Sequence, residues 1–193
     1  LLKMDFLGLR TLTVIDKALD LIAETTGRRL LASEIPTEDP ATFKLLQEGR
    51  TVGIFQLESS GMQELVRKMA PTGWDDITAI CALYRPGPLG ADMDKTYVER
   101  KHGRQRVQFK DPVLEPILRD TYGVIAYQEQ VMRIARDLGG FTMGEADLLR
   151  KAMGKKNPEV MKAQRARFVD GAVAKGLAKK KAERIFELME YFA

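Results

Sequence analysis

Two groups of charged residues have types and spacing that could perform chemistry, and Asp5 belongs to the first. It follows a short apolar run, a place where sheet enzymes commonly hold a metal-binding carboxylate. Lys3 lies two residues earlier and, because side chains alternate along a strand, on the same face. The two groups could hold Mg²⁺ and a phosphate together, or they could form a simple salt bridge. A two-metal site would need further ligands from outside this segment.

The second group is the adjacent pair Arg150 and Lys151. Thr142 and Glu145 have capping-box spacing, which predicts a helix that starts just after Thr142. In that helix Arg150 flanks the apolar stripe and Lys151 lies opposite it. Asp147 is four residues before Lys151, so a surface salt bridge is the simpler explanation of Lys151. The predicted buried stripe consists of Ala146, Leu149 and Met153.

The last third of the chain is basic. Twelve basic and only three acidic residues lie between Arg150 and Arg184, although the net charge of the whole chain is only +4. A solvated helix face is the simple interpretation of such a run. A phosphate-binding surface is the alternative. Composition alone leaves both open.

Composition excludes several classes of protein. The 193 residues are 45% hydrophobic and 30% charged, which is typical of a folded domain rather than a disordered chain. No apolar run approaches the roughly 20 residues of a membrane-spanning helix. Cys81 is the single cysteine and His102 the single histidine, which excludes an internal disulfide and a Cys/His zinc site. We expect a reducing, cytoplasmic compartment.

The elements that must position these residues are predicted to be mainly helices. Leu12, Ile15, Leu19 and Ile22 share one face of a helix over 9–23. Capping and proline signals predict four more helices besides the one after Thr142. These begin at Asp39–Pro40, just after Ser60, at Asn157–Pro158 and near Ala178, the last running to Phe192.

Strand signals are few and short. They cover 1–6, 51–55 and 123–127. Two prolines flank a glycine in 85–88, which predicts a rigid bend. The expected architecture is a helical body preceded by one strand of a sheet.

Five blocks carry a family resemblance in order along the chain. They are LLKMDFLGLRTLT from residue 1, GIFQLESSGM from 53, LYRPGPL from 83, YGVIAYQEQVM from 122 and GEADLLRKAMGKK from 144. Together they resemble the alpha subunits of bacterial DNA polymerase III, the C family of replicative polymerases. The resemblance implies that 1–25 form the end of the palm, with the catalytic strand and the following helix. Residues 26–193 would then belong to the helical fingers domain of a longer protein.

The resemblance also implies roles for individual residues. Asp5 matches the last of three palm aspartates that bind two Mg²⁺ ions, and Lys3 matches a basic residue beside them. Arg150 and Lys151 match a pair, usually Arg–Arg, that faces the triphosphate of the incoming nucleotide. Lys151 keeps the charge of that pattern but loses the bidentate fork. Arg85 lies in a hallmark bend and could reach a phosphate.

The implied function is part of a DNA-directed DNA polymerase of the bacterial cytoplasm, which joins a dNTP to a primer 3′-hydroxyl by two-metal catalysis. Its partners would be primer–template DNA, dNTP and, through other regions, replisome subunits, with no membrane. We expect the segment alone to be inactive. An error-prone paralogue and a non-catalytic helical nucleic-acid-binding module are the alternatives. The expected DNA contacts are Lys155, Lys156, Lys162 and Arg165.

Overall fold

The protein is mainly α-helical, as predicted. A computed structural model describes residues 4, 6, 8–90, 92–155 and 158–192, and these residues form eleven α-helices, three short 3₁₀ helices and no strand. None of these helices is long and apolar enough to cross a membrane. The α-helices are α1 (Arg10–Thr26), α2 (Pro40–Gln47), α3 (Ser60–Met69), α4 (Trp74–Leu83), α5 (Pro86–Gly90), α6 (Met93–Lys101), α7 (Glu115–Leu118), α8 (Gln128–Asp137), α9 (Met143–Lys155), α10 (Pro158–Ala174) and α11 (Lys179–Phe192).

Local side chains start the helices much as predicted. Asp39 accepts a hydrogen bond from the backbone N–H of Thr42 at 2.8 Å and caps α2. Thr142 and Glu145 form the predicted reciprocal box, with the Thr142 N–H donating to Glu145 Oε2 at 2.9 Å. The cap of α3 is Ser59 rather than Ser60, since the Ser59 hydroxyl accepts from Met62 N–H. The helix boundary therefore shifts by one residue.

The strand prediction for 51–55 is wrong. The segment is a series of turns in which the Thr51 hydroxyl donates to the Leu57 carbonyl at 2.5 Å. Gly53 and Gln56 have positive φ angles of 82° and 62°, which an extended strand does not allow. Of the five residues only Thr51 is buried, whereas the apolar side chains of Val52 and Phe55 are exposed.

The strand prediction for 123–127 is wrong as well. The described part of the chain contains no strand, and the segment begins at Gly123 with a positive φ of 79°. The Gln130 side chain accepts from the N–H groups of Ala126 and Tyr127 at 2.8 and 3.0 Å. The Thr121 hydroxyl donates to the Val124 carbonyl at 2.6 Å. Side chains thus satisfy the backbone groups that a sheet would have paired.

The predicted rigid bend at 85–88 is mostly a helix. The chain turns at Tyr84 and Arg85, and α5 begins immediately at Pro86. The Leu89 N–H donates to the Arg85 carbonyl at 3.0 Å. Proline is tolerated in a first helical turn because its missing N–H would have no intrahelical acceptor there. The hallmark block therefore places Arg85 at the entrance of a short helix.

The helices pack around two hydrophobic cores. The first joins α2, α3, α4 and α6, with Val66, Met69 and Ile80 fully buried. The second joins α7 to α11 around Phe168 and Phe186. Phe192, at the end of α11, packs against both cores. The seam between the cores lies beside that side chain.

Helix α1 stands apart from both cores. It has the predicted helical structure, but none of its side chains is buried, and Leu12, Ile15 and Ile22 are exposed. The predicted strand before it falls largely on residues that the structure does not describe. The division between 1–25 and 26–193 stays a prediction.

Candidate functional site: an arginine-lined cleft

A small cleft of about 170 Å³ opens at the seam between the two cores. Arg85 contributes to it from the start of α5, and Arg150 contributes from α9. Gln128, the first residue of α8, and Phe192 also line the cleft. Pockets for whole small-molecule ligands usually measure roughly 300–1,000 Å³. The cleft therefore suits one anionic group of a ligand better than an entire ligand.

Arg150 is held in a defined orientation at this cleft. Its Nε and Nη2 atoms donate to Asp147 Oδ1 at 2.9 and 2.8 Å. Its Nη1 atom donates to Gln128 Oε1 at 3.1 Å. The buried stripe of α9 is the predicted one, with Ala146, Leu149 and Met153 in the second core. Because that stripe fixes the rotation of α9, Arg150 lies at the edge of the core beside the seam.

Lys151 shares the carboxylate of Asp147. Its Nζ lies 2.7 Å from Asp147 Oδ2, which is the i,i+4 salt bridge that the spacing suggested. Hydrogen bonds from Lys151 and then Arg150 lower the pKa of the Asp147 carboxyl below its ordinary value. The Lys151 side chain is 57% exposed, compared with 28% for Arg150. Lys151 is thus the outer cation of a three-residue cluster and does not line the cleft.

Arg85 supplies the second guanidinium of the cleft. Its residue is exposed, and no described carboxylate forms an ion pair with it. Cys81, one turn earlier, has a raised thiol pKa because it is partly buried, an effect that the charge of Arg85 partly opposes. A neutral thiol is a poor nucleophile and a poor metal ligand. Cys81 is therefore poorly suited to either role.

The predicted metal site falls outside the described residues. Asp5 and Lys3 are both among the residues whose placement is not described, as is Lys156. Lys155 is the last residue of α9. Within the described ranges, no group of three or more His, Cys, Asp or Glu side chains could hold a metal ion. The roles of these residues stay predictions.

Four cations of the basic third bind other parts of the fold, and we call them the engaged cations. Arg165 lies 2.6 Å from Glu187 on α11, and Arg167 lies 2.5 Å from Glu145 on α9. The Lys175 ammonium donates to two carbonyl groups at the end of α8, and Lys181 pairs with Asp111 at 2.9 Å. The engaged cations are Arg165, Arg167, Lys175 and Lys181.

Four others are exposed and form no ion pair with a described carboxylate, and we call them the open cations. They lie on α10 and α11. Of the two predicted DNA contacts that the structure describes in full, Lys162 is open and Arg165 is engaged. The open cations are Lys162, Lys179, Lys180 and Arg184.

Sequence inspection missed two features of the cleft. Gln128 was not singled out, although it lies within the YGVIAYQEQVM block and holds the Arg150 guanidinium. Asp147 was considered only as the partner of Lys151, whereas it also binds Arg150. Its position three residues before Arg150 was a usable indication, because i,i+3 neighbours on a helix also meet.

Comparisons with known proteins agree with one another. The family described as the bacterial DNA polymerase III alpha subunit finger domain matches residues 11–176. The chain is 52% identical over 193 residues to a protein of Aquifex aeolicus named DNA polymerase III subunit alpha. Proteins with the same name from Pasteurella multocida and Thermus aquaticus are 50% and 48% identical. Each of these three alignments covers the whole of this chain, but the chain spans only 17%, 17% and 16% of the length of the three proteins.

Proposed function

This chain belongs to the finger-domain family of bacterial DNA polymerase III alpha subunits, and we propose that it binds the triphosphate of the incoming nucleotide in a DNA-directed DNA polymerase. The observation that carries the proposal is the pair of arginines, Arg85 and Arg150, that line one cleft of about 170 Å³. Guanidinium groups are well suited to phosphate because their N–H donors match two oxygens at once. The cleft is of a size for phosphate groups rather than for the base and sugar.

The charge of the cleft also favours an anion. Arg150 and Lys151 share the single negative charge of Asp147, so this cluster keeps a net positive charge. Arg85 adds a second positive charge without a described counter-ion. A triphosphate would supply the missing negative charge, and partial exclusion of water from the seam would strengthen the attraction.

In the complete enzyme these cations would assist nucleotidyl transfer from a dNTP to a primer 3′-hydroxyl. Holding the β- and γ-phosphates would position the α-phosphate for attack and stabilise the departing pyrophosphate. Asp5 is the proposed Mg²⁺ ligand of this chain, since carboxylate oxygens are the ligands that Mg²⁺ prefers, and Lys3 is proposed to lie beside it. Mg²⁺, when bound, would stabilise negative charge on the reacting phosphate.

The surface of α10 and α11 is the proposed contact with primer–template DNA. Lys162 and the other open cations are free to neutralise backbone phosphates. Lys155, the last residue of α9, and Lys156, the next residue in the chain, are proposed to extend this contact. Other replisome subunits would bind elsewhere in a full-length subunit, in the bacterial cytoplasm.

Steady-state primer extension with Arg150→Ala in a full-length subunit carrying this sequence tests the proposal. Loss of a charge-assisted hydrogen bond costs about 1.5–3 kcal/mol, so the KM for nucleotide should rise roughly ten- to a hundredfold. Primer–template affinity should change less than about twofold, since the open cations remain. Arg85→Ala should act in the same direction, because it removes the other guanidinium of the cleft.

Arg133→Ala is a matched control for Arg150→Ala. Arg133 is an exposed helical arginine that pairs with an aspartate, Asp137, at 3.4 Å, but it does not line the cleft. Its removal should leave the KM for nucleotide unchanged. If Arg150→Ala instead weakens DNA binding and spares nucleotide affinity, the cleft belongs to the DNA-contacting surface and the proposal is wrong.

A further inference from the structure

We propose that Asp147 is a positioning residue that presents Arg150 and Lys151 to the phosphates of the nucleotide. This inference deepens the function proposed above and rests on it. Asp147 touches both cations through different oxygens, Oδ1 toward Arg150 and Oδ2 toward Lys151. One carboxylate therefore fixes two long side chains that would otherwise each sample many rotamers.

The hydrogen bonds leave Arg150 able to bind a phosphate. A guanidinium has five N–H donors, and three of them are used by Asp147 and Gln128. The single Nε–H is among the three, so the two unused N–H groups lie one on each Nη atom. These two donors can still bind phosphate oxygens. Asp147 thus occupies one side of the guanidinium, and two N–H groups remain for a ligand.

A second possibility is that Asp147 competes with phosphate for the same cations. The geometry favours positioning, because a phosphate can bind the two unused N–H groups of Arg150 without displacing the carboxylate. Gln128 supports the same orientation from α8, and it lines the cleft beside Arg150. Asp147 is itself one-third exposed, so its negative charge is partly screened by water and repels an arriving phosphate only weakly.

Asp147→Ala in a full-length subunit carrying this sequence tests the inference. Without the carboxylate, the side chains of Arg150 and Lys151 are mobile and lose conformational entropy when the nucleotide binds. We expect this entropy loss to raise the KM for nucleotide about two- to tenfold. Turnover at saturating nucleotide should change less than KM. Inhibition by inorganic tripolyphosphate, which reports on phosphate binding alone, should weaken by a similar factor. Asp147→Asn, which keeps one acceptor oxygen for Arg150, should give a smaller effect.

The matched control is Asp137→Ala. Asp137 has the same side-chain exposure as Asp147, 33%, and also pairs with two cations, but it lies at the end of α8 away from the cleft lining. Its removal should not change nucleotide KM or tripolyphosphate inhibition. We expect the two alanine variants to have the same melting temperature. A lower melting temperature of Asp147→Ala would show that this variant is destabilised.

The double variant Asp147→Ala with Arg150→Ala separates positioning from a direct role. Because Asp147 acts mainly through Arg150, the double variant should be little worse than Arg150→Ala alone. Additive losses, or tighter tripolyphosphate binding in Asp147→Ala, would overturn the inference. If Arg150→Ala leaves nucleotide KM unchanged, the proposed function fails. If only the Asp147 variants leave it unchanged, the inference alone fails.

Discussion

The cleft and the face formed by α10 and α11 both carry several cations, but they use them differently. In the cleft, Arg150 keeps two N–H groups free and Arg85 has no described counter-ion. Of the eight engaged and open cations, which lie on α10, on α11 or at Lys175 between them, half bind carboxylates or carbonyl groups of the fold itself. The cations of the cleft therefore remain available to a ligand, whereas half of those on the other face form contacts that hold the helices together.

This difference separates the amount of positive charge from its availability. Arg167 illustrates the point, because it pairs with Glu145 and also lies over the Phe141 ring at 4.6 Å from the centroid. Such a side chain stabilises the fold whether or not DNA is present. Net charge therefore overestimates the phosphate-binding capacity of α10 and α11. The comparison predicts that substitutions in the two regions will affect different measurements.

The largest expected effect comes from breaking the packing of α10. A Cβ added at Gly171 would overlap the carbonyl oxygen of Gly139, which is backbone and cannot move aside easily. We expect Gly171→Ala to lower the free energy of unfolding by about 3 kcal/mol. Urea unfolding of the 193-residue chain, followed by circular dichroism, measures this value.

Gly144→Ala is the control for Gly171→Ala. Gly144 lies in α9, and a Cβ there would meet nothing within 4 Å. Alanine is favoured over glycine in a helix by up to about 1 kcal/mol, so this variant should be as stable as the original or slightly more stable. Equal stability of the two variants would show that α10 is not packed against the end of α8 in the way described.

The second prediction compares the open and engaged cations directly. Replacing all four open cations with glutamine should weaken DNA binding by a full-length subunit at least tenfold at moderate salt. It should also flatten the plot of log affinity against log salt by about 0.9 for each lost phosphate contact. Unfolding free energy of the 193-residue chain should stay almost unchanged, because these side chains form no ion pair with a described carboxylate.

Replacing the four engaged cations with glutamine should instead affect the free energy of unfolding more than DNA binding. Stability should fall, because Arg165, Arg167 and Lys181 lose ion pairs and Lys175 loses its contacts with the end of α8. The slope of DNA binding with salt should change less than in the first set. If the two variants show equal slopes of log DNA affinity against log salt, the open and engaged cations contribute equally to DNA binding and the distinction between them is wrong.

The third prediction concerns pH and the engaged pair Arg167–Glu145. Hydrogen bonds from Arg167 and then Thr142 lower the pKa of Glu145 to about 2 from its ordinary value of 4.5. Because the pKa is lower in the folded protein, the carboxylate contributes stability that is complete above about pH 4.5 and is lost as the pH falls toward 2. Glu145→Gln should therefore be less stable than the original chain near neutral pH, and the difference should shrink across this window.

Urea unfolding of both chains at a series of pH values measures that difference. Subtracting the two curves removes the general effect of acid on the other carboxylates. A difference that is constant from pH 6 to the lowest measurable pH would mean that Glu145 does not hold Arg167 through its charge. Arg167 would then belong with the open cations, which are available to DNA, and not with the engaged cations.

Local patterns in the sequence predicted six of the eleven described α-helices, which are α1, α2, α3, α9, α10 and α11, and they missed α4 to α8. The caps at Asp39 and Thr142 depend on residues three apart, so they can be recognised in a single sequence. The segments 51–55 and 123–127 were misassigned because a short apolar run does not show whether a partner strand is present. In both places a side-chain hydroxyl or amide, such as that of Gln130, takes the backbone bonds of a strand.

The cleft was predictable only in part. Arg85 and Arg150 were chosen as separate residues from two blocks, and nothing local to either block shows that they share a cleft. Gln128 was missed because its amide is uncharged and does not stand out among the charged residues of the sequence. Its role also depends on the contact between α8 and α9. Long-range packing, which a single sequence does not reveal, created the site.

The smallest effect is expected for Lys151, which lies in the same cluster as Arg150 but outside the cleft lining. Exposed charges contribute about 0.2–1 kcal/mol, so Lys151→Ala should raise the KM for nucleotide by only about one- to fivefold. The change should shrink at higher salt, because water and ions screen an exposed ammonium more than the half-enclosed Arg150 guanidinium. Lys151→Arg should keep the KM within about twofold, since arginine can still pair with Asp147. Nucleotide titrations at two salt concentrations distinguish these cases. A loss as large as that of Arg150→Ala would mean that Lys151 contributes as much to triphosphate binding as Arg150, and that lining the cleft makes no difference to the contribution of a cation.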